Sequence, residues 1–154
     1  MKPRRVVVAE SAPTGLYDED FFTWTQRTAA LLRHARFEAV DLEHLAEEVE
    51  DMGKRDLREM NSRLRVLLIH LLKWRMQPSK RSPSWRSTIL TQRQEIADLL
   101  QQSPSLRAKL SAGLATNYGA AVARAAAETR TEEGDFPRRC PFTIDQILDR
   151  TFLP

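Results

Sequence analysis

Apolar residues recur along this chain at intervals of three and four, which predicts helices throughout. Phe21, Trp24, Thr28, Leu31 and Ala35 share one face of a helix predicted over residues 18–36. Asp18, Glu19 and Asp20 stand at its start and Arg33 and Arg36 in its last turn, as the helix dipole prefers. A second helix is predicted over residues 41–77, with Leu42, Leu45, Val49 and Met52 as one apolar stripe. Gly53 interrupts that stripe and predicts a bend or short break. The pattern resumes with Leu57, Met60, Leu64, Leu67, Leu71 and Trp74, and Val66, Leu68, Ile69 and Leu72 add a second apolar face. A helix apolar on two faces is a central one. Straight, it would span ~55 Å, long for a chain of this size, which again argues for a bend.

Two prolines bound a loop at residues 77–83. A third helix is predicted over residues 84–102, with Trp85, Ile89, Ile96, Leu99 and Leu100 inward. Ser103 before Pro104 reads as a capping serine and first-turn proline for a fourth helix reaching about residue 131. That helix carries Leu106, Leu110, Leu114, Tyr118, Val122 and Ala125 on one side, and small residues from Ala112 to Ala123 that let a neighbour approach closely. Thr143 caps a last helix predicted over residues 144–152. No stretch alternates with period two. The expected fold is all-α: a single-domain bundle of four main helices plus a short C-terminal helix over residues 17–154. A basic, flexible leader is expected at residues 1–16, where Pro3, Pro13 and Gly15 break any pattern.

Composition adds limits. With 154 residues, 42% apolar and 29% charged, the balance is that of an ordinary globular domain and excludes wholesale disorder or a collagen-like repeat. A single cysteine, Cys140, excludes a disulfide scaffold and suits a reducing cytoplasm. Its neighbours Arg138 and Arg139 are expected to lower the thiol pKa, but no acid or histidine is placed beside it as a base. The longest apolar run, Val66 to Ile69, stops at His70, so no membrane span is expected, and Val6 to Ala9 is too short for a signal-peptide core. The chain is therefore placed in the cytoplasm.

Charge changes the picture more. Residues 17–52 hold ten acidic and three basic residues, a net −7, whereas residues 53–93 hold two acidic and eleven basic residues, a net +9. The plain reading is mutual neutralisation or a solvated surface. The functional reading is an anion-binding face, with Lys54, Arg55 and Arg58 as candidates and Trp74 and Trp85 as stacking partners for bases. Within the acidic segment, Glu43, Glu47 and Asp51 share a face, and His44 and Glu48 form an i, i+4 pair. Glu43, His44, Glu47 and Glu48 are the only weak candidates for metal ligands. No metal and no cofactor is expected, because the Glu-x-x-His pairs of a di-iron bundle and the H-E-x-x-H zinc motif are both absent. His70 sits within an apolar run, and reads as a hydrogen-bonded core histidine or a pocket residue. Glu128 lies among alanines and needs a basic partner, with Arg86 and Arg93 as candidates.

Several motifs then occur in order: Tyr17-Asp18-x-Asp20-Phe21-x-x-Trp24, Asp41-Leu42-x-x-Leu45-x-Glu47-Glu48, Ser62-Arg63-Leu64-x-x-Leu67-x-x-His70-Leu71-Leu72-Lys73-Trp74 and Ser84-Trp85-Arg86-x-x-Ile89. Pro104-Ser105-Leu106, Glu128-Thr129, Phe136-Pro137 and Cys140-Pro141-Phe142 come after them. Over residues 17–154 this set resembles the bacterial family called domain of unknown function 29. The resemblance implies an all-helical fold and no activity. Many motif residues are polar or aromatic: Trp24, Glu47, Glu48, Arg63, His70, Lys73, Trp74, Trp85 and Arg86 form the candidate cluster. They either make an internal ion-pair network or line a site.

Three functions remain open. The first is a small interaction module that binds an acidic protein or nucleic acid through its basic half. The second is a metal-assisted phosphodiester hydrolase using Glu43, Glu47, Glu48 and His70. On a straight helix His70 lies ~33 Å beyond Glu48, so that reading requires a sharp fold-back at Gly53. The third is a structural homo-oligomer packed through the small-residue helix.

Overall fold

The structure, a computed structural model, describes residues 15–154, so the expected leader lies outside it apart from Gly15 and Leu16. The described residues are all-α. Four long helices, α2 (Phe21–Arg33), α3 (Leu42–Met76), α4 (Pro83–Gln102) and α5 (Leu106–Thr129), are joined by short α1 (Leu16–Glu19), C-terminal α6 (Ile144–Leu148) and three 3-10 turns. No strand occurs among them, and no described helix is long and apolar enough to cross a membrane. They fall into two compact units that divide after Gly53.

In the first unit the helix predicted over residues 18–36 is two. Gly15 takes a left-handed backbone, φ +113°, which suits a residue without Cβ, and α1 starts after it. Asp20 leaves the helical region, and its carboxylate accepts the Thr23 N–H at 2.9 Å and the Thr23 hydroxyl at 2.6 Å. The acid at the expected start therefore serves as the cap of α2 and ends α1. Ala35 turns left-handed, so α2 stops at Arg33 and does not reach Arg36. Trp24 and Thr28 are buried as expected, together with Ala39 and Val40.

The stripe at the start of α3 faces the other way from expectation. Leu42, Val49 and Met52 are each about 60% exposed. Instead α1 engages the polar side of α3, where Tyr17 meets His44 and Glu48. At 100° per residue that side lies roughly a quarter turn from the apolar stripe, which stays uncovered. Gly53 produces no break, since α3 is helical throughout its 35 residues. A Cβ at Gly53 would meet nothing within 4 Å.

The second unit holds the rest of α3 with α4, α5 and α6. Its core joins Met60, Leu64, Leu67, Leu68, Leu71 and Leu72 to Ile89, Ile96, Leu110, Ala121, Ala125 and Ile147. Both apolar faces read from α3 are thus used. Ser82 caps α4 by accepting the Trp85 N–H, ahead of Pro83 in the first turn. Ser103 is not the cap expected of it: the Ser103 and Pro104 carbonyls accept the Leu106 and Arg107 N–H groups in a turn, and α5 begins later. At its far end α5 stops at Thr129, and Arg130 adopts φ +56°. The Tyr118 hydroxyl donates to the Pro137 carbonyl at 2.6 Å and ties the irregular segment beyond α5 back onto that helix. Thr143 caps α6 reciprocally with Gln146, as its sequence predicts. Helix α6 ends at Leu148 rather than residue 152, because the Asp149 carboxylate takes the Thr151 N–H and hydroxyl. Arg93, 2% exposed, holds this tail by donating to the carbonyls of Ile147 at 2.7 Å and Phe152 at 2.8 Å.

Candidate functional site

The predicted cluster divides between the two units. Trp24, Glu47 and Glu48 belong to the first; Arg63, His70, Lys73, Trp74, Trp85 and Arg86 belong to the second.

In the first unit the centre is Tyr17. Its hydroxyl donates to Glu48 Oε1 at 2.6 Å while its ring stacks on His44, with centroids 4.0 Å apart. Trp24 and Phe21 pack against the same ring at 5.0 and 5.7 Å. Nδ1–H of His44 donates to Asp41 Oδ2 at 2.6 Å. Each link shifts a titration. The hydrogen bond to Glu48, reinforced by desolvation and nearby carboxylates, pushes the Tyr17 phenol up to about 12. The hydrogen bond to Asp41 raises His44, and the same bond lowers Asp41. The Trp24 indole N–H makes no full hydrogen bond, yet stands near enough to Asp41 to add to that lowering. The His44–Glu48 pair is thus bridged by a tyrosine. Tyr17 and Asp41 were absent from the predicted cluster; the i, i+3 spacing of Asp41 and His44 was the visible signal for Asp41, and no local spacing points to Tyr17. Glu43 and Glu47 are exposed. Among the described residues no group of three or more His, Cys, Asp or Glu side chains is arranged to hold a metal.

In the second unit the structure brings Lys73, Trp85 and Glu128 together. Lys73 Nζ donates to Glu128 Oε2 at 2.9 Å and sits 4.6 Å from the Trp85 ring centroid. Arg124 takes the other Glu128 oxygen at 2.9 Å. Glu128 therefore pairs with Lys73 and Arg124 rather than with Arg86 or Arg93, because one helical turn on α5 brings Arg124 beside it. Its carboxyl is lowered, chiefly by the Lys73 hydrogen bond. Arg63 pairs with Glu59 and Glu95. His70 is half-buried and donates from Nδ1 to the Val66 carbonyl at 2.8 Å. The Arg81 guanidinium lies 5.2 Å from the Trp74 ring centroid and donates to the Trp74 carbonyl. Both tryptophans expected to stack bases are thus half-buried and already hold cations. Burial raises the Cys140 thiol, so the expected lowering by its arginine neighbours does not occur.

The anion-binding candidates lie on the solvent side of α3. Lys54, Arg55 and Arg58 are exposed, and Arg65 continues their line. Lys54, Arg58 and Arg65 fall within about 40° of one another around the helix and roughly opposite Met60, Leu64, Leu67 and Leu71. Arg55, Arg58 and Arg65 form no ion pair among the described residues.

A family model described as Domain of unknown function DUF29 matches residues 16–153. No curated protein and no solved structure matches the chain.

Proposed function

The chain belongs to the DUF29 family, and we propose from its own residues that it is a small cytoplasmic interaction module. Its basic unit docks an acidic partner, protein or nucleic acid, along the solvent face of α3. The observation that carries this reading is the line of Lys54, Arg58 and Arg65, flanked by Arg55, on a helix whose opposite face is committed to the core. The three arginines have no carboxylate partner among the described residues to neutralise them. Because Trp74 and Trp85 are engaged, recognition rests on charge rather than on stacking of bases.

Fluorescence anisotropy with labelled short DNA, RNA and a polyglutamate peptide, at low and near-physiological salt, tests it. Binding is expected at low salt with a steep loss as salt rises, weakened severalfold or more in the Arg55→Gln, Arg58→Gln, Arg65→Gln triple variant. Binding unchanged in that variant refutes the proposed face. No binding to any probe refutes the reading.

A second reading is self-association. It is favoured by the exposed Leu42, Val49 and Met52, which with Leu45 make an a/d seam over two heptads. A second copy supplies the complement: the seam is flanked by carboxylates in a segment of net −7, against +9 for residues 53–93. A monomer in sedimentation equilibrium at high concentration and low salt refutes it. Metal-assisted hydrolysis has no such support, since the described residues offer no ligand set of three.

A further inference from the structure

The second unit holds a partly enclosed cavity of ≈ 200 Å³ between α4 and the tail beyond α6, lined by Arg86, Ile89, Leu90, Arg93, Arg150, Thr151 and Leu153. Three of its walls are arginines and none is a carboxylate. Arg93 is the most buried of them, and its guanidinium meets only backbone carbonyls: Nε bonds Ile147, Nη2 bonds Phe152 and, at 3.5 Å, Gln146, and no ion pair among the described residues neutralises it. Its third nitrogen, Nη1, is buried and has no hydrogen-bond partner. A buried guanidinium N–H without a partner is costly, and such atoms are rare unless something else satisfies them. The carboxylate whose charge reaches Arg93 is Asp149, which makes no ion pair with it and accepts the Thr151 N–H and hydroxyl on Oδ1.

We propose that this cavity is a binding site for a tetrahedral oxyanion, a phosphate ion or the terminal phosphoryl group of a phosphomonoester. Arg86 and Arg150, both exposed at the rim, close on it from outside, and the buried guanidinium of Arg93 adds its positive charge from within. Planar guanidinium forks match this class of anion in geometry as well as charge. Size points the same way: a drug-sized ligand needs roughly 300–1,000 Å³, so the cavity holds the anion itself rather than a whole nucleotide. Because Arg93 also anchors the α6 tail, the bound anion would tie α4 to that tail. This site shares no residue with the exposed face of α3 and stands or falls separately from it.

The test is titration of the full chain with inorganic phosphate and, separately, phenyl phosphate, by calorimetry and by thermal unfolding. Sodium chloride at matched ionic strength is the control. Saturable binding that raises the melting temperature, absent with chloride, is expected. The rim variant Arg86→Gln, Arg150→Gln removes no core contact and is expected to weaken binding tenfold or more while circular dichroism stays native. Arg93→Lys, which keeps the charge but loses the fork, is expected to weaken it as well. Equal binding of phosphate and its ester assigns a phosphoryl site open at the rim, and binding of phosphate alone assigns a site for the free ion. Absence of saturable binding to both, or binding unchanged in the rim variant, overturns the proposal.

Discussion

Glu128→Gln isolates the long-range ion pair that ties α3 to α5. Lys73 is nearly buried, with its side chain 11% exposed, while Glu128 is 33% exposed. Removing one partner of a fully buried pair costs about 3–5 kcal/mol, because the remaining charge is stranded. Surface pairs contribute about 0–1 kcal/mol. With one partner buried and the other partly wet, the loss lies between these limits, at ~2 kcal/mol. For a chain of this length that corresponds to a fall in Tm of roughly 4–8 °C. The Trp85 ring continues to hold the ammonium from one side, which limits the loss. Urea unfolding monitored by tryptophan fluorescence and by circular dichroism measures it. Combining Lys73→Met with Glu128→Gln is expected to recover part of the loss, since no stranded charge then remains. The sign with pH is fixed by the lowered Glu128 carboxyl. Its contribution is complete above its ordinary value of 4.5 and disappears as pH falls through the lower folded value. The variant and the parent should therefore converge in acid. A loss under about 0.5 kcal/mol at pH 7, which is what an inert surface position shows, or a gap that persists at low pH, refutes this account of the pair.

Other residues give further expected outcomes. Gly53→Ala fills open space inside a helix, so it is expected to stabilise by about 1 kcal/mol in the same unfolding assay; destabilisation would show that the backbone there is not helical. His44 is expected to titrate above 6.5 by NMR, and Asp41→Asn to bring it back down. The stabilisation from that raised pKa is present below 6.5 and is lost as pH rises through the folded value. The chain has two tyrosines, Tyr17 and Tyr118, both raised: Tyr17 by its bond to Glu48 and Tyr118 by burial. Titration at 295 nm should therefore place both phenols above 10 in the parent, and Glu48→Gln should return one of them toward ordinary phenol titration; a titration curve unchanged in that variant contradicts the network.

The helical class and most of the second unit's core were legible because periodicity reports burial directly when both sides of a helix are covered. Met60, Leu64, Leu67 and Leu71 recur at helical spacing and are fully buried. Leu42, Val49 and Met52 recur with the same spacing and are exposed. Periodicity shows which residues share a face, but not whether anything packs on it. Charged partners were harder to read for a different reason. Lys73 and Glu128 are 55 residues apart, and nothing local selects Lys73 over Arg86 or Arg93 for that carboxylate. The cavity walls were hidden likewise, since Arg150 joins Arg86 and Arg93 only through the turn that Asp149 imposes after α6. The breaks were legible in composition but misplaced: Gly53 is accommodated inside α3, whereas the Asp20 side chain captures an N–H of the next turn and starts a new helix.

The exposed stripe belongs to a unit that buries little apolar surface among its described residues, 15–53. It holds seven of the eight large hydrophobic residues exposed among the described residues, Phe21, Phe22, Leu32 and Phe37 besides the three on α3. Its buried set is small, limited to Trp24, Thr28, Ala39 and Val40. The second unit, by contrast, has fully buried leucines and isoleucines on α3, α4, α5 and α6. Local opening should therefore be easier in the first unit, because fewer apolar contacts are lost when it opens. Hydrogen exchange resolved by residue is expected to show α2 amides exchanging well ahead of those at Leu64 to Leu72 on α3. If the stripe is a contact between copies, raising the protein concentration should slow exchange at Val49 and Met52 and leave Leu67 and Leu71 unchanged. Equal protection of α2 and the leucine core at every concentration would show that the first unit is stable without a partner and that its exposed stripe is no contact between copies.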